Sequence, residues 1–278
     1  MSNNENTALV ESRTFNLPTV NTGDFSSDEL AEDMAGLQLS LQKIKIPSGG
    51  GLQFELPGDD PEDPDYAKTL EGVILFNHAA GAYWAAGSED DEDSLPLCSS
   101  VDGVAGIGNP GGACAACPMN AWGTGKNGSG KACKNMRVLY LLRDGDFMPI
   151  QLTLPPTSIR PFNDFFNMIF ASRRRGTCGS VVQIGLKRMN NGRDDYSVAT
   201  FKKLYDFTGE QLAQSKMYAD GFRLQVKEML RQRTLAAASK TDDIMDVEAP
   251  SYTEMFGGGS GGFSIADEID GEREALPA

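Results

Sequence analysis

Histidine is nearly missing from this chain. His78 is the one histidine among 278 residues, which excludes most acid–base and triad schemes, since these need an imidazole inside a cluster. His78 follows an apolar run and reads as a packed or turn residue. No stretch approaches the ~20 apolar residues of a membrane helix. Met1 to Val10 lacks the basic-then-apolar pattern of a secretory leader, so the expectation is a cytoplasmic protein with no membrane partner. Paired carboxylates do not stand out from the acidic loops, and the chain is not expected to be an enzyme. Net positive charge is absent as well: the total is −14 and the pI about 4.5. Taken whole, that balance argues against a polyanionic partner.

The segments tell a different story. Residues 120–240 hold 20 Lys/Arg against 9 Asp/Glu, residues 1–119 hold 4 against 20, and residues 241–278 hold 1 against 10. A basic body between acidic arms can still attract a polyanion locally. The 40 % hydrophobic content suffices for one core. The expected organisation is a weakly ordered arm (1–37), an ordered domain (38–240) with an insertion (98–133), and an acidic, Gly-rich disordered tail (241–278).

Along the domain, Lys43 to Ile46 alternates as a half-buried strand does. In the arm, Ser26 to Glu29 offers a capping box for a short helix through Met34. Leu56 to Asp65, with three prolines among acids, reads as a loop. Gly72 to Asn77 reads as a buried strand, and a turn then leads to Tyr83-Trp84. Glu89 to Asp93 is an acidic loop tip, solvated or calcium-binding. Arg137–Arg143 and Met148–Leu154 form a hairpin at Asp144-Gly145. Thr157 or Ser158 caps a helix, with Pro161 in its first turn. A second strand pair, Val181–Leu186 and Tyr196–Tyr205, turns at Asn190-Asn191-Gly192. Thr208 to Gln211 is a capping box for a helix to about Ala238. This order predicts an α+β domain, mostly antiparallel, built as an OB-like β-barrel with inserted helices.

Cys98, Cys114, Cys117 and Cys133 give C-x15-C-x2-C-x15-C. The tight pair reaches one metal from a turn, and the flanking cysteines complete a tetrahedron. Four thiolates favour structural zinc, with an iron–sulfur cluster second. A Gly-rich stretch with little to bury gains its folding energy from such an ion. With every ligand a cysteine, no open position is left for catalysis. Cys114 to Cys117 as a redox pair, or four unconnected thiols, are the competing readings. Cys178 is a plain thiol. Gly125 to Lys131 matches G-x-x-x-x-G-K, but Ala132 stands where Ser or Thr should bind magnesium, and no strand leads in. Its amides could still contact strand phosphates.

Binding a single strand needs cations along the backbone and aromatic faces for bases. Candidates near the last cysteine are Trp122, Lys126, Lys131, Lys134 and Arg137, with Tyr83 and Trp84 as further stacking faces. At strand ends and hairpins stand Arg173, Arg174, Arg175, Lys187, Arg188, Arg193, Lys202 and Lys203.

The runs Leu95 to Gly103, Cys114 to Asn120 and Gly130 to Arg137, with Leu152 to Ser158, resemble a family of small proteins from phages and mobile elements. The overall plan resembles phage single-stranded DNA-binding proteins, which pair an OB-like barrel and zinc subdomain with a Gly-rich linker and acidic tail. That resemblance implies a partner in single-stranded DNA or RNA with little sequence preference, and a role in replication or recombination. It also implies that the tail recruits replication or recombination proteins and competes for the basic groove. This tail ends Glu274 to Ala278, without the terminal Phe of bacterial counterparts. A zinc-scaffolded adaptor, whose acidic arms bind proteins, is the alternative.

Overall fold

The computed structural model describes residues 15–18, 41–60, 63–85 and 95–239. The expected helix at 26–34, the acidic tip at 89–93 and the tail from 241 lie outside them.

Val138 to Leu142 is apolar at five successive positions, and all five are buried. A strand that is apolar at every position is one covered on both faces. That strand is β8 (Lys134–Leu142), and it runs beside the longest strand, β4 (Thr69–Tyr83). Around them nine strands form one sheet, in the order β1 (Lys43–Lys45), β9 (Ile150–Leu154), β8, β4. Beyond β4 the sheet forks. The first part of β4 pairs with β10 (Ser180–Asn190), which pairs with β11 (Asp195–Asp206). The last part pairs with β5 (Cys98–Ser100), followed by β6 (Ala105–Gly108) and β7 (Gly112–Ala113). Only β1 runs parallel to its neighbour.

Among the described residues, one helix packs on each face. α1 (Pro156–Ile169) sets Phe162 and Phe165 against Leu139, Leu141, Leu152 and Ile184. On the other face, α2 (Gly209–Ser239) sets Phe222 and Val226 against Val73, Val138, Tyr140 and Phe207. The rings of Tyr140 and Phe222 meet edge-on at 5.2 Å. Phe15, inside the expected arm, is buried in this second core, and its carbonyl accepts from Gln211 Nε2 at 2.9 Å.

The two hairpins and the long C-terminal helix stand where the sequence put them. The expected closed barrel does not form. A barrel encloses one face, whereas here both faces need cover, and the outer edge of β11 is taken. The Ala199 amide donates to Ser158 Oγ at 2.9 Å, and Ser197 Oγ donates to the Gly51 carbonyl at 2.6 Å. Three further expectations change. The loop expected over Leu56 to Asp65 is largely strand: β2 (Phe54–Asp60) and β3 (Asp63–Ala67) pair as a separate two-stranded sheet, with 61–62 outside the described residues. Prolines are tolerated in such an edge pair. Gly72 to Tyr83 is one strand with no turn, paired with β8 from Val73 to Ala82 across one register shift between Ile74 and Phe76. Ser158 does not cap α1: the helix starts at Pro156 without a side-chain cap, so Pro161 lies beyond its first turn.

Candidate metal centre and nucleic-acid interface

The stretch 98–133 adds almost nothing to either core; Val101 alone packs against one. Its order comes from short polar contacts. Asp102 opens a turn, accepting from the Val104 and Ala105 amides at 2.7 and 3.1 Å. Burial alone would raise its carboxyl, but these amides and the Ser100 hydroxyl hold it below its usual range. The Cys114 amide donates to Val104 O at 2.9 Å, and a 3-10 turn then carries Cys114 to Cys117. The Cys133 amide reaches back to Met119 O at 2.8 Å.

These bonds bring all four cysteines to one small cavity of about 20 Å³, lined also by Gly81, Tyr83, Gly106 and Asn120. Cys98 comes from β5, Cys114 and Cys117 from the 3-10 turn, and Cys133 from the residue before β8. Burial raises the thiols of Cys98 and Cys133, and the charges of Cys114 and Cys117 raise both further. Among the described residues, no group of three or more His, Cys, Asp or Glu side chains stands in an arrangement that could hold a metal ion. The four cysteines nonetheless line one ion-sized space, and four sulfur donors fit the chemistry of one tetrahedral cation. A cavity that holds about one water-sized sphere suits a single ion better than an iron–sulfur cluster.

Two residues missed in the sequence shape this site. Asn120 accepts from Lys131 Nζ and Asn135 Nδ2, both at 3.0 Å, and donates to the Cys114 carbonyl at 2.8 Å. It ties the cysteine turn to the segment carrying Cys133. Gly106 leaves room for a ligand: a Cβ there would stand 2.9 Å from Cys98 Sγ. Neither residue carries a sequence signal, because each matters only through a neighbour distant along the chain.

The Gly125 to Lys131 loop is not a phosphate cradle. The Gly123 and Gly125 amides both donate to Gly130 O, and the Gly128 amide to Gly125 O. The Ser129 amide donates to Lys126 O, and that of Ala132 to Thr124 Oγ1. Amides turned into their own loop cannot ring an anion.

No family model, curated protein or solved structure matches this chain.

The predicted cations fall into two groups. Several hold the fold together. Arg137 binds Asn77 Oδ1 through Nε at 2.7 Å and lies 5.8 Å over the Phe162 ring. Lys131 is bonded to Asn120. Arg175 turns inward, donating to the carbonyls of Gly179 and Phe207 and pairing with Asp206 at 3.5 Å. Arg188 holds the Gly50 carbonyl, and Lys203 pairs with Asp206 at 2.6 Å. The others stand exposed: Lys126 on the lobe, Arg173 and Arg174 after α1, Lys187, Lys202 and Arg193 on the β10–β11 pair. Lys134 is half-buried on β8. Among the aromatics, Trp122 is 81 % exposed on the lobe, while Tyr83 and Trp84 are half-buried. The exposed cations therefore divide among the lobe, the segment after α1 and the β10–β11 pair.

His78 is half-buried between Phe76 and Tyr140, with Nε2 3.1 Å from the Tyr140 hydroxyl. Burial lowers its pKa, and the Arg137 charge lowers it further. Burial pushes Tyr140 up to about 12. His78 thus belongs to the packing of the sheet face.

Proposed function

We propose that this protein binds single-stranded nucleic acid with little sequence preference, its cysteine lobe held by one structural zinc ion bound by Cys98, Cys114, Cys117 and Cys133. The observation that carries the reading is the lobe itself. Four thiols line one ion-sized cavity in a lobe that also presents an exposed Trp122 and an exposed Lys126. Zinc supplies folding energy to a stretch that has no core of its own. The lobe can then offer a flat ring to a base and a cation to a phosphate, the two contacts a sequence-tolerant strand binder uses. Exposed Lys187, Lys202, Arg173, Arg174 and Arg193 extend the attraction by counterion release. A role in replication or recombination of the phage type, with the acidic 241–278 segment as a recruiting and competing arm, suits this chemistry.

The test is metal content on the purified protein together with titration of a labelled oligonucleotide at two salt concentrations. One zinc per chain and an affinity that falls steeply with salt are expected. No strand binding near physiological salt, even with residues 241–278 removed, overturns the reading.

One observation favours a different partner. Leu95, Val104 and Trp122 expose large apolar side chains on or beside the lobe, as a protein-docking surface does. An adaptor of that kind would retain proteins after nuclease treatment while the oligonucleotide titration stayed flat.

A further inference from the structure

α2 covers only part of its sheet face. It lies over Val73, Tyr140 and Val181. Because strand side chains alternate, Gln183, Gly185 and Lys187 of β10 continue that same face past the helix. Register sets Lys202 beside Gln183, Thr200 beside Gly185, and Tyr196 just beyond Lys187. On this stretch Val198, opposite Lys187, is buried, whereas Lys187 and Lys202 are exposed. An open depression of about 320 Å³ lies at the margin of this stretch, lined by Lys68, Gly185, Thr200 and Lys202 and also by Leu186 and Phe201, which pack toward the opposite core. Gly185 helps keep it open: a Cβ at that position would sit 3.1 Å from Thr200 Oγ1.

Positive charge predominates on this surface, with Lys68, Lys187 and Lys202 against the Glu71 carboxylate. Lys68, Lys187 and Lys202 are all exposed. None makes an ion pair among the described residues, in contrast to Lys203 on the same strand, which pairs with Asp206. The acid on this face, Glu71, is hydrogen-bonded to Gln183 at 2.7 Å. Lys187 lies opposite Val198, four residues from Lys202, so the two cations stand about 14 Å apart along the strands at roughly 3.4 Å per residue. One compact phosphate cannot reach both. A chain of phosphates can.

We propose that the outer half of this sheet face is the track for the single strand, with Lys68, Lys187 and Lys202 on separate phosphates of one chain and Tyr196 offering a ring to a base. The proposal rests on the strand-binding reading above and gives it a location separate from the cysteine lobe.

The test uses the full chain and a labelled oligonucleotide titrated across salt concentrations. It compares wild type, the triple variant Lys68→Ala/Lys187→Ala/Lys202→Ala, and Trp122→Ala/Lys126→Ala in the lobe. All substituted lysines are exposed, and a thermal melt checks that the triple variant still folds. Losing three phosphate contacts should flatten the log–log salt slope by about 2, from roughly 0.7 per contact on a single strand. Photocrosslinking of bound wild type should map to the β10–β11 pair. Wild-type affinity and slope in the triple variant, or crosslinks confined to the lobe, overturn the track while leaving strand binding intact. A flat titration of wild type removes the function itself.

Discussion

Withdrawing the cation should loosen the lobe and leave the sheet standing. Residues 98–133 reach the cores only through Val101, and their order rests on turns and the β4–β5–β6–β7 ladder. An ion bound only by the ordered lobe, at a free concentration 1,000-fold above its Kd, stabilises it by about 4.1 kcal/mol. Stripping it should then speed exchange of lobe amides by about a thousandfold, at 1.4 kcal/mol per decade, wherever exchange proceeds through local opening. The amides to watch are those of Cys114, Asn120 and Cys133, each bonded within the lobe. The β8–β9 and β10–β11 ladders are the internal standard. Hydrogen exchange read by mass spectrometry, before and after a chelator, gives both values in one experiment. Thiol labelling adds a count, with four cysteines becoming reactive and Cys178, only 6 % exposed, staying protected. Unchanged exchange in the lobe would refute the metal-dependent order. Equal acceleration throughout the sheet would refute its independence.

Three smaller perturbations separate roles that the sequence could not. Asn120→Ala removes three hydrogen bonds at once and should speed metal release about tenfold or more, at roughly 1 kcal/mol per bond; a competition assay with a chromogenic chelator measures it. Arg175→Ala leaves the Gly179 and Phe207 carbonyls without this donor and should cost about 1–3 kcal/mol of stability. Arg175→Ala should leave strand affinity unchanged, and denaturant melts beside oligonucleotide titrations separate the two effects. His78 gives a pH signature. Burial lowers its folded pKa below 6.5, so the unfolded chain takes up the proton first. Its contribution to stability is therefore complete above pH 6.5 and is lost as pH falls toward the folded value. Thermal melts between about pH 7.5 and 5.5 should decline with acid, and His78→Gln should remove that part of the slope.

Much of the architecture is local and hence readable along the chain. The Asp144-Gly145 and Asn190 to Gly192 turns lie between segments with clear β patterns, and α2 has a long helix-compatible run. The four cysteines announce themselves by type and spacing. Four weak β-formers in Asn77 to Ala80 concealed the full length of β4, because pairing with β8 overrides their propensity. The apolar run Val138 to Leu142 already spoke against a barrel, since it needs cover on both faces.

The sequence by itself determined which groups exist: four thiols, a cation-rich middle segment, a chain able to build one mixed sheet. Tertiary structure alone decided which of those charges remain available. Arg137, Arg175, Arg188 and Lys203 find partners distant in sequence or across a turn and are spent on the fold. Lys68, absent from the sequence-based candidates, is left exposed beside Lys202 at a sheet depression. The reason is physical. A side chain's type fixes the bonds it can make, whereas solvent exposure and partner distance are properties of the packed chain.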